Sequence, residues 1–453
     1  MEAGERVNVA PRLLGPYLER RASGHAGWIA EPARWVNRVL QRLDRGNPMP
    51  QADLPNWVGA RASPSSASRL SSINVGRSSE LIDALAAAKA GDTITLAPGH
   101  YRFSGRSLEA VRPGMEDAPI TVRADAFGTV VLEFDLLEGF HVTAPYWVFE
   151  NLVIQGACTS HDSCEHAFHV VGGAHHVVIR NNALSDFNAH IKINGSNGRF
   201  PDNGRVLNNT LTNGTPRKTS LPVTPIDLVA ASRWLIEGNL IADFVKDGGD
   251  ATSYGAFAKG GGSGTTFARN VVICEARLRG APGRRVGLSF GGGGSDQSGC
   301  RDRKCVVEHE NGLIEGNLIA SCSDDGVYVN RSSGSKVLYN TLLDTARVEI
   351  RFPESTAVLS ANLIDGVVLV RDDGILRDEG ENETTSVWAL YLGWHPVRKL
   401  FVDADALDLR FASQPPASLG PDSEADLCSS KRTRRTLIGA FERFAACLGT
   451  PAP

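Results

Sequence analysis

The sequence predicts an all-β fold, a right-handed parallel β-helix solenoid, with a helical N-terminal extension and a helix that caps the first coil. Three observations carry this expectation: a short Asn-plus-apolar phrase that recurs eight times, a second apolar strand after each copy, and a composition rich in turn formers. The phrase reads Glu150-Asn151-Leu-Val-Ile154, Asn181-Asn182-Ala-Leu184, Asn208-Asn209-Thr-Leu211, Gly238-Asn239-Leu-Ile241, Arg269-Asn270-Val-Val-Ile273, Gly316-Asn317-Leu-Ile319, Tyr339-Asn340-Thr-Leu342 and Ala361-Asn362-Leu-Ile364. Successive Asn residues (151, 182, 209, 239, 270, 317, 340, 362) lie 31, 27, 30, 31, 47, 23 and 22 positions apart. A basic coil of about 22 residues with variable insertions has this signature.

A strand of this length cannot bury its own apolar face, whereas stacked coils bury a continuous one and satisfy the backbone through parallel ladders. Asn suits the corner because it tolerates left-handed backbone and its amide can bond to the Asn of the next coil. Leucine-rich repeats are the rival solenoid, but their helical half and Leu spacing are missing. The second strands are His190–Ile193, Pro225–Leu228, Gly255–Ala258, Gly287–Phe290, Gly326–Val329 and Val348–Arg351, expected to stack as one sheet. With 47 Gly and three Met, the chain suits many tight turns better than long helices.

Ser79 to Ala90 has helical apolar spacing (Leu81, Ile82, Leu85) and leads into two strands through Gly/Pro punctuation, so it is expected to cap the first coil. Residues 1–45 are read as a helical extension with an apolar stripe of Trp35, Val36, Val39, Leu40 and Leu43, and residues 46–72 as a Pro/Ser/Ala-rich linker. The solenoid is expected over 73–372 and a C-terminal cap and tail over 373–453.

A formal net charge of −4 gives no basic field for nucleic acid, and no run of about 18 apolar residues provides a transmembrane helix. The eight Cys group as Cys158/Cys164, Cys300/Cys305 and Cys428/Cys447. Cys274 and Cys322, four and five residues after their Asn on neighbouring coils, make the fourth pair. Such pairing points to an oxidising compartment, secreted or periplasmic. Met1–Glu5 lacks a basic segment before an apolar core, so no signal peptide is visible and one removed on maturation is expected.

The segment Ala90-Gly-Asp-Thr-Ile-Thr-Leu-Ala-Pro-Gly-His-Tyr101, then Ala118-Pro-Ile-Thr-Val-Arg-Ala124 and the Asn coils, resembles the chondroitinase-B/alginate lyase family of polysaccharide lyases over residues 74–372. Asp426-Leu-Cys428 with Leu437-Ile-Gly-Ala-Phe-Glu442 looks like the closing motif of many extracellular bacterial β-helix proteins. The resemblance implies a carbohydrate-active protein that cleaves an anionic, uronate-containing polysaccharide by β-elimination. It implies a Lys base, an Arg one coil later and Ca2+ on the substrate carboxylate.

Lys259 falls where the family's Lys falls. Gly291 stands where its Arg should be, so Arg279, Arg284 and Arg285 of the preceding insertion are the candidates to reach back. Thr252 and Tyr254 replace the acidic pair that the resemblance implies, so Ca2+ lacks its expected ligands and no cofactor is assigned.

Insertions at Gly195–Gly204, Arg277–Arg285 and Gly291–Glu310 are expected to wall one flank of a groove. Lys192, Asp227, Tyr328 and Asn330 are expected to bind substrate there. Asp324-Asp325 precedes its strand as paired aspartates do in β-helix hydrolases of the polygalacturonase type, and gives an alternative acid/base pair. The third alternative is a non-catalytic polysaccharide-binding or cell-surface protein. Gly260–Ser263 and Gly291–Ser295 are followed by strands, not helices, which argues against phosphate loops and for close backbone packing. In the run His161, His166, His169, His175 and His176, strand alternation would point His161 and His169 alike, but no carboxylates complete a site and no metal is assigned. The polymer, oligomeric state and mode of cleavage are left open.

Overall fold

The recurring apolar triplets form the strands of a right-handed parallel β-helix in the computed structural model, which describes residues 9–46, 53–62, 71–418, 423–432 and 436–449. Each coil contributes one strand to each of three parallel sheets. Sheet 1 has twelve strands from Ser71–Val75 to Ile375–Glu379, sheet 2 eleven from Gly99–Ser104 to Glu383–Thr384, and sheet 3 ten from Leu108–Ala110 to Val367–Arg371. The Asn strands stack in sheet 2 and the second strands in sheet 3, as the sequence predicts.

The Asn phrase does two jobs at two adjacent positions, not one. The left-handed residue is the one before the ladder Asn: Asn181, Asn208, Gly238, Arg269, Gly316, Tyr339 and Ala361 all have φ between 53° and 67°. The ladder Asn is buried. The side-chain oxygen of Asn270 accepts from the backbone N–H of Asn239 at 3.0 Å and from its side-chain amide at 2.9 Å, while Asn270 Nδ2 donates to Ile236 O (2.9 Å) and Asn317 Oδ1 (3.0 Å). This pattern runs from Asn182 to Asn382, a rung beyond the last copy read from the sequence. At the first copy Asn151 is the left-handed residue, and Leu152 occupies the ladder position with its N–H donating to Asn182.

From Leu240–Ala242 to Leu363–Ile364 sheet 2 is buried on both faces, which explains why Leu240–Ala242 and Leu318–Ala320 are apolar throughout and do not alternate. Its inner face joins the solenoid core. Its outer face packs under Val58, Phe401, Leu409, Ile438, Phe441 and Phe444. The chain after the last coil therefore folds back over sheet 2, and so does part of the expected linker: Gly59 N–H bonds to Gly238 O (3.2 Å) and Ala60 N–H to Thr210 Oγ1 (3.0 Å). Residues 47–52 and 63–70 of that linker lie outside the described residues. In the closing motif, Asp426 accepts the backbone N–H of Ser430 and Glu442 at 2.6 and 2.7 Å.

The capping helix spans Ser78–Ala87 and buries Leu81, Ala84 and Leu85. Ile82 is turned to solvent, because the helical phase that faces the coil excludes it. Two further helices, Pro11–Ala22 and Gly27–Arg45, pack on each other; of the expected apolar stripe Val36, Val39, Leu40 and Leu43 are half-buried, while Trp35 is 60% exposed. Their anchor is ionic. Arg12 is fully buried, pairs with Asp44, and donates to the carbonyls of Cys322 (3.0 Å) and Asp344 (2.8 Å). Arg45 pairs with Glu275 and, at 3.0 Å, with Asp344. Burial pushes the Asp344 carboxyl up, yet Arg45, Arg12 and Arg398 outweigh it and hold the group well below the usual carboxylate range.

Disulfides join Cys158–Cys164, Cys274–Cys322, Cys300–Cys305 and Cys428–Cys447, the four pairs expected. No described helix is long and apolar enough to cross a membrane.

Two outcomes test these anchors. Asn270→Ala strands two buried donors and an acceptor, and is expected to cost about 3 kcal/mol in denaturant unfolding. A depressed carboxyl contributes stability that is complete above its unfolded value and lost as pH falls through its folded one. Docking of the N-terminal helices should therefore hold at neutral pH and fail only in strong acid, and Asp344→Asn should release them at neutral pH; limited proteolysis near residues 23–26 reads both.

Candidate functional site

Strand alternation sends every second residue of sheet 3 outward, and the parallel register lines these residues up in two columns. One reads Glu109, His141, His169, Lys192, Asp227, Phe257, Ser289, Tyr328 and Glu349. The other reads Asn194, Val229, Lys259, then Gly291 at the next strand end, followed by Asn330, Arg351 and Arg371. The four residues expected to bind substrate, Lys192, Asp227, Tyr328 and Asn330, thus fall in the two columns beside Lys259. Rungs are about 4.8 Å apart, so Lys192 to Tyr328 spans about 19 Å along the axis.

Lys259 ends the strand Thr252–Lys259 and is half-buried. Its ammonium donates to Gly294 O at 2.8 Å and lies 4.6 Å from the centre of the Phe257 ring. Among the described residues no carboxylate forms an ion pair with it. Burial pushes the Lys259 amine below the ordinary lysine value, with Lys192 adding to that and Asp227 and Glu308 opposing it. Asp227 is itself taken up by Lys192, at 2.8 Å.

The backbone of the loop over Lys259 favours glycine. Gly291, Gly292, Gly293 and Gly294 all have positive φ, between 68° and 107°. A Cβ on Gly291 would collide with the Asn330 carbonyl oxygen, so no arginine fits there on this backbone. The loop rests on Tyr254 and Ser289, and Ser295 Oγ donates to Glu308 at 2.8 Å.

The three arginines expected to replace the missing one are not brought to Lys259. Arg284 and Arg285 pair in register with Thr252 and Ser253, at the far end of the same strand and about 20 Å away. Arg285 is buried on Glu275 and the carbonyls of Ala281 and Pro282; Arg279 pairs with Asp344 beside the N-terminal helices. The insertions also divide between two edges. Gly195–Gly204 and Gly291–Glu310 leave sheet 3 at its exit edge, where Arg301 pairs with Asp202 at 2.8 Å and stacks over Phe200. Arg277–Arg285 lies at the entry edge, because it connects sheet 2 to sheet 3.

Asp324 and Asp325 do not form an open acid/base pair. Both are buried at the entry edge against Arg347, which reaches Asp325 at 2.6 Å and Asp324 at 3.6 Å. Burial drives the Asp325 carboxyl well up, against the pull of Arg347.

The residues around Lys259 do not fit calcium either. Tyr254 packs edge-on against Phe257, burial pushes its phenol further up, and Asp250 is neutralised by Lys246 at 2.7 Å. His161 lies in a 3-10 turn, accepting from the Lys218 N–H at 2.7 Å, so strand alternation does not relate it to His169. Phe257, two residues before Lys259, is the neighbour that sequence reasoning missed; strand periodicity alone would have found it.

No family model matches the chain, and no curated protein does. Among solved structures, that of pectate lyase Pel9A aligns with 84% of this chain and 98% of its own, at 17% identity and a TM-score of 0.54. An alginate lyase from Paenibacillus sp. str. FPU-7 covers 70% of this chain and 99% of its own, at 16% identity and a TM-score of 0.37. A rhamnogalacturonan lyase covers 67% and 81%, at 12% identity and 0.44. At these identities the pectate lyase likeness establishes one thing, the fold: the chain is a parallel β-helix of the kind on which that enzyme is built.

Proposed function

We propose that this protein is a secreted or periplasmic polysaccharide lyase that cleaves a uronate-containing polymer by β-elimination, with Lys259 as the base. The observation that carries the reading is Lys259 itself, an amine with no carboxylate partner among the described residues, on the outward face of sheet 3 between Lys192–Asp227 and Tyr328–Asn330. A base must hold a lone pair at working pH, and burial favours the neutral amine. In the proposed step, Lys259 Nζ takes the proton next to the uronate carboxylate. The electrons form the C=C bond of the unsaturated product as the adjacent carbon–oxygen bond breaks, and the leaving glycosidic oxygen takes a proton from water. The cations along the two columns are already paired, Lys192 with Asp227 and Arg351 with Asp372, so an anionic chain competes with those carboxylates for them; the four disulfides support an oxidising compartment. Entry of a sugar to Lys259 exchanges the Gly294 carbonyl for substrate, so the glycine loop has to part.

One observation favours a second reading, a protein that binds polysaccharide without cleaving it: Gly291 leaves the next rung without a cation to stabilise the enolate. Incubation with alginate, chondroitin and pectin separates the two, following ultraviolet absorbance of unsaturated products together with new reducing ends. The lyase gives both signals, and Lys259→Ala abolishes them; an unchanged rate in that variant removes Lys259 from the mechanism. Retention on a polysaccharide gel with neither signal establishes the binding protein.

The loop has its own test. Gly291→Ala forces a side chain against Asn330 O in a left-handed backbone, and is expected to cost about 2 kcal/mol. It should also raise the rate at which amine reagents label Lys259; an unchanged rate would mean that the loop does not cover the amine.

A further inference from the structure

We propose that Glu138, His141 and His169 form a binding site for a divalent transition ion of the Zn2+ class, on the outer face of sheet 3 near its N-terminal end. One donor atom from each of the three lies within 4.8 Å of the other two. His141 and His169 are in register on adjacent coils, with ring centres 5.7 Å apart, and Glu138 Oε1 is 2.9 Å from His169 Nδ1. A tetrahedral ion sits about 2.0–2.2 Å from such donors, so the three would close in by about 1 Å, a movement that side-chain rotation supplies.

Independent evidence comes from what holds the rings. Asn194 Nδ2 donates to Gly195 O at 3.0 Å, which fixes the amide so that its Oδ1 faces His169 Nε2 at 2.6 Å. His169 Nε2 therefore carries a proton. Its Nδ1 faces the Glu138 carboxylate at 2.9 Å. A proton on Nδ1 or a metal ion between the two atoms closes that contact. On the next rung back, Glu109 holds His141 Nδ1 at 2.9 Å. Each ring is thus anchored to an oxygen through one nitrogen, as outer-shell partners anchor imidazole ligands on a metal.

A proton alone would satisfy His169 and Glu138, but it gives His141, with its own carboxylate anchor, no role. Two imidazoles and one carboxylate select Zn2+ over Ca2+, which takes oxygen ligands. The site differs in place and chemistry from the calcium that the sequence resemblance implies, and stands three rungs, about 14 Å, from Lys259. Local charge suits a cation: Glu109, Glu138 and Glu165 surround it, and Lys192 on the adjoining rung is occupied by Asp227. Three protein ligands leave one position open toward the groove.

The test is a titration of the chelator-stripped full chain with Zn2+ against a chromophoric indicator, with thermal melts confirming that each variant is folded. One equivalent is expected to bind. His141→Ala, at the more exposed ligand, and His169→Ala should each weaken it at least ~10-fold, and Asn194→Ala, which frees the anchored nitrogen, by about 10-fold. His175→Ala/His176→Ala and excess Ca2+ should leave binding unchanged. If His169→Ala fails to fold, His141→Ala alone decides. The proposal is overturned if the wild type binds no equivalent, if His141→Ala binds as the wild type does, if loss follows His175 and His176, or if Ca2+ displaces the ion. The readout is independent of lyase activity, so it stands or falls apart from the role of Lys259.

Discussion

From Leu152 onward each coil has to turn its backbone at a corner whose ladder residue is shielded from water, between sheet 1 and sheet 2. A peptide group left unpaired there costs about 1–3 kcal/mol, repeated once per coil. The buried amides from Asn182 to Asn382 remove that cost, because each satisfies a peptide of the coil before it and is satisfied by the coil after it. The residue ahead of each Asn from 182 to 362 takes the left-handed conformation that the corner demands, so the choice there is among Asn, Gly and residues strained into place. All three sheets inherit their register from this corner. The columns on sheet 3, including the one that carries Lys259, are aligned only because the ladder does not slip.

The three sheets meet different neighbours, and this decides which face is open to a ligand. Sheet 2 is closed by the returning C-terminal segment and by residues 53–62. Sheet 3 carries the outward polar columns and is bordered on both edges by insertions. At the exit edge these are tied together through Arg301 and Asp202. The middle of the face is not bare. Asp227, Phe257 and Ser289 point outward yet are nearly buried, because the glycine loop and its neighbours lie over them. A ligand approaching Lys259 meets backbone carbonyls before it meets the amine.

How much of this was legible depended on the range of the interaction that fixed it. The solenoid, the stacking of the second strands and the four disulfides were readable because they follow from period and from register between adjacent coils. The division of the Asn phrase into a left-handed position and a ladder position was not, since Asn151 and Asn181 satisfy either role; only Leu152 at the ladder position shows the offset of one. Arg279, Arg284 and Arg285 were misplaced because sequence distance from Gly291 says nothing about which edge of sheet 3 an insertion occupies. The aspartates 324 and 325 looked available because their partner, Arg347, lies more than twenty positions on, at the start of the next sheet 3 strand. The Glu138, His141 and His169 grouping escaped periodicity altogether. An odd spacing of three should put Glu138 and His141 on opposite faces of a regular strand, and the start of this one departs from strict alternation, with Gly139 and Phe140 both buried.

The coil between Asn270 and Asn317 is 47 residues long, about twice the length of the two that follow it, and the ladder passes through it unchanged. Length is therefore decoupled from register in this architecture. Material can be added to or removed from one rung without disturbing the chemistry displayed on another, because strain from an insertion ends at the nearest ladder amide. Such a body accumulates functions as a row of separately editable stations along an axis, and its history can be read coil by coil in a way that a globular core does not permit.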